Sequence, residues 1–188
     1  MPMRDLPPDL ARLSLVEIEV ALAEKRLPPV DQWHPAHSGP SDMMIARDGS
    51  WFHQGGRINR PAMVKLFSSI LRREGDGSYV LVTPGEKLDI TVEDAPFIAV
   101  EVKSEGEGKA RNLAFRLNTD DLVIASSANP IRIVTRNDGP HPYVMVRGGM
   151  EALIARPVYY ELAELAVDDG AVPPGLWSGG AFFALEAA

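Results

Sequence analysis

Two Arg-Pro pairs, Arg60-Pro61 and Arg156-Pro157, each stand where an amphipathic stretch begins. Proline is tolerated in the first turn of a helix because its missing N–H would have no partner there. What surrounds the two pairs also repeats. Ahead of Arg60 lie a short strand pattern (Met43 to Ala46), the turn pair Asp48-Gly49, an aromatic return strand (Trp51 to His53) and Gly55-Gly56. Ahead of Arg156 lie Ile131 to Thr135, Asp138-Gly139, a return strand with Tyr143, and Gly148-Gly149. Each helix pattern is closed by Asp-Gly: Asp76-Gly77 in the first copy, Asp169-Gly170 in the second. Solenoids need three or more repeats, so two copies predict a pseudo-symmetric pair. The expected fold is α+β, with two related subdomains from an internal duplication, mostly antiparallel sheets and a helix packed on each.

The remaining elements fit around this frame. Ser14-Leu15-Val16-Glu17 is a capping box, and Leu15, Ile18 and Leu22 follow at helical spacing, predicting a helix over 14–26 that ends before Pro28-Pro29. Met63, Leu66, Phe67, Ile70 and Leu71 form the apolar face of the helix after Arg60, which Gly75-Asp76-Gly77 is expected to stop. Strands are expected at Tyr79–Thr83, Lys87–Val92, Phe97–Lys103, Asn112–Leu117 and Leu122–Ala125, and a short apolar strand at Ala181–Leu185. Val158, Leu162 and Leu165 mark the last helix. The division is residues 1–30 as a helical segment, 31–93 as the first repeat and 94–188 as the second.

Several function classes are excluded by composition. The chain has 188 residues and no cysteine, so disulfides, thiolate metal sites and cysteine nucleophiles are out. A formal net charge of −7 argues against binding a nucleic acid polymer, which needs a basic surface. No apolar run is long enough to span a bilayer. Met1 to Leu13 has neither a basic start nor an apolar core and does not read as a signal peptide, so a cytoplasmic location is expected. His34 and His37 flank Pro35, which disfavours a helical ligand pair, and no metal or cofactor is expected. Gly106-Glu107-Gly108-Lys109-Ala110 lacks the spacing and the hydroxyl of a phosphate loop.

Candidate binding residues come from polar clusters. Thr83-Pro84-Gly85-Glu86-Lys87 puts a hydroxyl, a carboxylate and an amine into one tight connection, and Glu93-Asp94-Ala95-Pro96-Phe97 is a second acidic corner. Arg60 and Arg156 would add a guanidinium to helix N-terminal N–H groups, a combination that suits anions. Arg111, Arg116 and Asn118 supply donors on a following strand. His53, Glu86 and Asp94 are the residue types of a hydrolytic acid–base set, but nothing in their spacing joins them.

Pro29-Val30-Asp31-Gln32-Trp33-His34-Pro35, Asp48-Gly49-Ser50-Trp51-Phe52-His53 and Arg57-Ile58-Asn59-Arg60 resemble stretches of a bacterial family of uncharacterised proteins, domain of unknown function 1285. So do Thr83 to Lys87, Val92 to Phe97, Phe115-Arg116-Leu117-Asn118 and the tail Gly175 to Phe183, with Leu117 departing from the polar residue expected at its place. The resemblance implies a two-part α+β fold with a duplicated core, the second part similar to pleckstrin-homology-like barrels. It implies no catalytic residues, and it suggests a site between the parts for a nucleotide-like molecule and a role in signal transduction. The functional expectation is a non-enzymatic ligand-binding or sensor protein. Its nucleotide-like or anionic metabolite would lie between the halves, contacted by Trp51, Arg60, Lys87 and Arg116, with Thr83 and Glu86 on the rim. The alternative is a protein–protein interaction module of a signalling pathway.

Overall fold

The structure, a computed structural model, describes residues 10–186. Most of the stretch Met1 to Leu13 lies outside the described residues. Helix α1 (Leu15–Glu24) starts at the expected capping box: the Ser14 N–H donates to Glu17 Oε2 at 2.7 Å, and the Glu17 N–H to Ser14 Oγ at 3.2 Å. Ile18 and Leu10 bury against Ala114, with Leu13, Leu22, Leu122 and Ile124 around them. The first helix in the chain therefore packs on the second half. Lys25 at its end makes an ion pair with Asp121.

The first half is one sheet built from β1 (His37–Ile45), β2 (Trp51–His53), β3 (Gly56–Arg57), β4 (Leu71–Arg73), β5 (Tyr79–Val82) and β6 (Glu86–Val92), with α2 (Pro61–Ser69) between β3 and β4. The second sheet holds β7 (Phe97–Glu105), β8 (Asn112–Leu117), β9 (Leu122–Ile124), β10 (Ile131–Arg136), β11 (Gly139–Arg147) and β12 (Met150–Ile154). Helix α3 (Arg156–Asp169) and a hairpin of β13 (Gly175–Ser178) and β14 (Ala181–Ala184) follow. The strand orders are β3-β2-β1-β6-β5-β4 and β10-β11-β12-β7-β8-β9. Read from the other edge, the second is the first again. In each half two antiparallel three-stranded meanders are joined through their first and last strands, β1 with β6 and β7 with β12, which pair in parallel.

The likeness of the halves is thus seen in the sheets, but in a different register from the sequence pattern. That pattern matched β1-β2-β3-α2 to β10-β11-β12-α3, the first meander of one sheet to the second of the other. The helices occupy different places: α2 joins the meanders of its half, whereas α3 follows both of its own. The closing Asp-Gly pairs are not equivalent either. Helix α2 ends at Ser69, Leu71 starts β4, and Asp76-Gly77 turns the β4–β5 hairpin, in which the Glu74 N–H donates to the Ser78 carbonyl at 2.8 Å. Asp169-Gly170 does stop α3, the Gly170 N–H reaching the Ala166 carbonyl at 3.2 Å. Strands β3, β4, β12 and β13 were not expected from the sequence, and β1 begins at His37 rather than Met43.

One apolar core runs through both halves. Ile45, Trp51 and Leu81 from the first sheet join Phe97, Phe115 and Leu117 from the second, and Val158, Leu162 and Ala166 bring in α3. Register shifts between Ala99 and Glu101 and between Met145 and Arg147 put bulges in β7 and β11. Bulges bend strands, and the second sheet curls accordingly into a half-barrel, with β9 and β10 at its two edges.

Candidate functional site

The six residues expected to hold a ligand do not meet. Trp51 is only 1% exposed, stacks on Phe67 with ring centroids 6.4 Å apart, and has no hydrogen-bond partner for its indole N–H. It lines a cavity of about 320 Å³ between the Asp48-Gly49 turn and the start of α2, with Arg57, Asn59 and Asn118. Arg60 is exposed at the cap of α2 and makes no side-chain capping bond. Thr83 Oγ1 accepts from the N–H groups of Gly85 and Glu86 at 3.3 and 3.2 Å, which closes the β5–β6 turn. Glu86 is exposed, and Lys87 reaches Glu74 at 3.5 Å. Glu74 also pairs at 2.9 Å with Arg72, which donates to the carbonyls of Val30 and Trp33 and so ties the segment before β1 to the sheet.

Arg116 lies between Glu101 at 2.8 Å and Asp120 at 3.2 Å, and Asp120 takes Lys65 of α2 at 2.6 Å. Lys87 pairs with Ser38 at the start of β1, whereas Trp51 pairs with Ile45 at its end. At about 3.3 Å per residue the two levels are roughly 20 Å apart along the strand. His53, Glu86 and Asp94 are likewise dispersed: His53 ends β2, Glu86 starts β6 opposite His37, and Asp94 lies on the segment between the sheets.

A second set of residues does converge between the halves. A cleft of about 220 Å³ is lined by Arg73 and Tyr79 from the first sheet and by Arg132, Arg136, Tyr143 and Glu151 from the second. Asp94-Ala95-Pro96, in the segment joining β6 to β7, complete it. Strand periodicity puts the side chains there. In β10, Ile131 is buried while Arg132 and Arg136 are exposed, and Arg132 pairs directly with Tyr143 of β11, so both stand on the outer face. Tyr143 is nonetheless only 2% exposed, because Asp94 and the arginines cover it.

The cleft's polar groups are tightly coupled. The Tyr143 hydroxyl donates to Asp94, with both carboxylate oxygens 2.9 Å away, and Arg136 donates to Asp94 Oδ1 at 3.2 Å. Arg132 forms a bidentate pair with Glu151, at 2.8 Å from Nε and 2.7 Å from Nη2, and its guanidinium carbon lies 4.7 Å from the Tyr143 ring centroid. Arg73 donates to the Gly149 carbonyl at 2.9 Å across the boundary between halves, and sits 5.8 Å from the Tyr79 ring centroid. Burial, reinforced by the hydrogen bond to Asp94 and its charge, pushes the Tyr143 hydroxyl up to about 12, so it is a protonated donor at neutral pH. Its hydrogen bond to Asp94 is the first cause that raises the Arg136 pKa.

Three arginines against two carboxylates leave one net positive charge in the cleft, on a chain whose formal charge is −7. Arg73 and Arg136 each commit only part of a five-donor fork, leaving donors for an anion. Among the described residues no group of three or more His, Asp or Glu could hold a metal ion, and no helix is long and apolar enough to cross a membrane. Of the cleft residues, sequence reading had singled out only the Asp94 corner and the Tyr143 return strand. The signal for Arg132 and Arg136 was the alternation Ile131-Arg132-Ile133-Val134-Thr135-Arg136, which puts two arginines on one face.

These features define a two-part α+β protein with a cationic, tyrosine-lined cleft at the junction of two sheets of equal strand order. The chain belongs to the family of domain of unknown function 1285, whose N-terminal domain matches residues 28–95 and whose C-terminal domain matches residues 96–185. Two crystal structures of family members are similar. One, from Silicibacter pomeroyi DSS-3, is 44% identical over 93% of this chain and 96% of its own, with a TM-score of 0.78. The other, from Shewanella baltica OS155, is 25% identical over 67% of this chain and 92% of its own, with a TM-score of 0.53. No curated protein matches the chain.

Proposed function

We propose that the protein is a non-enzymatic ligand-binding sensor that takes a nucleotide-like or anionic metabolite in the cleft between its halves, in signal transduction. The observation that carries this reading is the convergence of Arg73, Arg132 and Arg136 with Tyr79 and Tyr143 on one concave site built from both halves. Clefts between halves suit ligands, and arginine forks with aromatic rings suit planar or phosphorylated anions. We read the second half, a curled sheet followed by a helix, as a relative of pleckstrin-homology-like barrels, a plan that serves binding rather than chemistry.

Calorimetric titration with a panel of nucleotides, phosphate esters and dicarboxylates tests the proposal. A panel member should bind the wild-type chain, and Arg136→Ala should weaken it at least about tenfold, the loss of one charge-assisted contact. Arg136 is exposed, so its thermal midpoint should stay close to wild type. No binding by any member, with the fold intact, would sink the reading. A second reading, a module that engages a protein partner, is favoured by one feature: Tyr160, Ala163 and Val167 follow at helical spacing on α3, with Tyr160 57% and Val167 75% exposed.

A further inference from the structure

We infer that the group recognised in the cleft is a phosphoryl dianion, and that Asp94 occupies its place as an internal anion until the ligand displaces it. The inference rests on the ligand reading above and sharpens it. Size is the first argument. A cavity of about 220 Å³ is below the roughly 300–1,000 Å³ of sites that enclose whole drug-sized ligands. It holds a phosphoryl group, with the remainder of any larger molecule lying outside. Charge is the second. With Asp94 in place the cleft carries one net positive charge; with Asp94 withdrawn, Arg73, Arg132 and Arg136 against Glu151 leave two, which matches a dianion.

Donor geometry is the third argument. Asp94 accepts from the Tyr143 hydroxyl and from Arg136, the donor types a phosphoryl oxygen would use. The other carboxylate, Glu151, is locked in its bidentate pair with Arg132 on the neighbouring strands of one sheet. Asp94 instead sits on the short segment between β6 and β7, the chain's crossing from one sheet to the other, so it is the carboxylate free to leave. Exchange of Asp94 for a ligand anion would release that crossing from the second sheet. Occupancy would then be read out as a change in how the halves are tethered.

Titration of inorganic phosphate, glycerol phosphate and adenosine monophosphate into wild type and Asp94→Asn tests this. The amide keeps the shape and removes the competing charge, so phosphate should bind the variant about tenfold or more tightly than wild type. Glycerol phosphate and the nucleotide should gain by a similar factor, since all three present the same group. A nucleotide that gains while free phosphate does not bind would overturn the phosphoryl assignment. Equal or weaker phosphate binding by a folded Asp94→Asn would overturn the role of Asp94 while leaving an anion site in place.

Hydrogen exchange on the wild-type chain covers the case in which the variant does not fold. Saturating phosphate should speed exchange of the amides of Glu93, Asp94 and Ala95, because the segment is released. Slower or unchanged exchange with phosphate bound would refute displacement. Failure of every phosphoryl compound and every other anion to bind wild type would instead remove the underlying ligand reading.

Discussion

Trp51→Ala should lower the unfolding free energy by about 3–5 kcal/mol, the cost of emptying a fully buried aromatic site. Trp51 joins the common core with Ile45, Phe97 and Leu117, and its ring stacks on Phe67 of α2. Its removal opens a void where the first sheet, α2 and the second half meet. Trp51→Phe should cost far less. It keeps the ring against Phe67 and discards an indole N–H that is buried without a partner, a group whose burial itself costs about 1–3 kcal/mol. Denaturant melts of the three proteins measure the difference. An unchanged midpoint in Trp51→Ala, with weakened ligand binding, would return Trp51 to the ligand-contacting role expected from the sequence.

Gly49→Ala is the second large effect expected, about 3 kcal/mol of destabilisation. Gly49 has a φ of +87° in the β1–β2 turn, a conformation that costs an L-residue roughly 1–2 kcal/mol. A Cβ there would also lie 2.6 Å from Ile98 Cγ1 and 2.9 Å from Asn118 Nδ2. Those two residues belong to the second half, and Asn118 is engaged: its Oδ1 accepts from the Ile98 N–H at 3.0 Å. The new methyl group therefore pries the halves apart, adding an overpacking cost of about 1–3 kcal/mol. Gly55→Ala is the control, since its φ is +80° but nothing lies within 4 Å of the added carbon. It should cost only the backbone part, about 1 kcal/mol. Equal losses for the two variants would mean that the close approach of the halves at Gly49 is unimportant.

Local chemistry was readable in the sequence, and long-range pairing was not. The starts of the three helices follow from Ser14 with Glu17, from Arg60-Pro61 and from Arg156-Pro157, because capping and proline geometry depend on a few adjacent residues. The end of α2 was misjudged because Phe67 and Leu71 satisfy helical spacing while Leu71-Arg72-Arg73 also satisfies strand alternation. Tertiary pairing with β5 decides for the strand. Strand β12 alternates buried and half-buried from Met150 to Ile154, yet no strand was expected there, since nothing nearby shows that those residues pair with β7.

The residues that line the cleft were hidden in the sequence for the same reason. Thr83, Glu86 and Lys87 are close along the chain and satisfy one another or their neighbours locally. The cleft instead joins Arg73 to Arg132, Arg136 and Glu151, residues brought together only once both sheets exist. Placing a site between the halves rested on the duplication and on the family resemblance, and neither could nominate those side chains.

The parallel pairs at the centre of each sheet have a consequence for how the chain acquires its structure. Each joins segments roughly 50 residues apart, β1 to β6 and β7 to β12, while every other pairing in the two sheets is between neighbours in sequence. The meanders can form early and locally; the central pairs must wait for loop closure across a whole half. A chain still emerging during synthesis therefore carries exposed strand edges on β1 and β7 until β6 and β12 arrive. The second half also supplies the docking surface for α1, so the first helix made must wait for β8 and β9 to find its place.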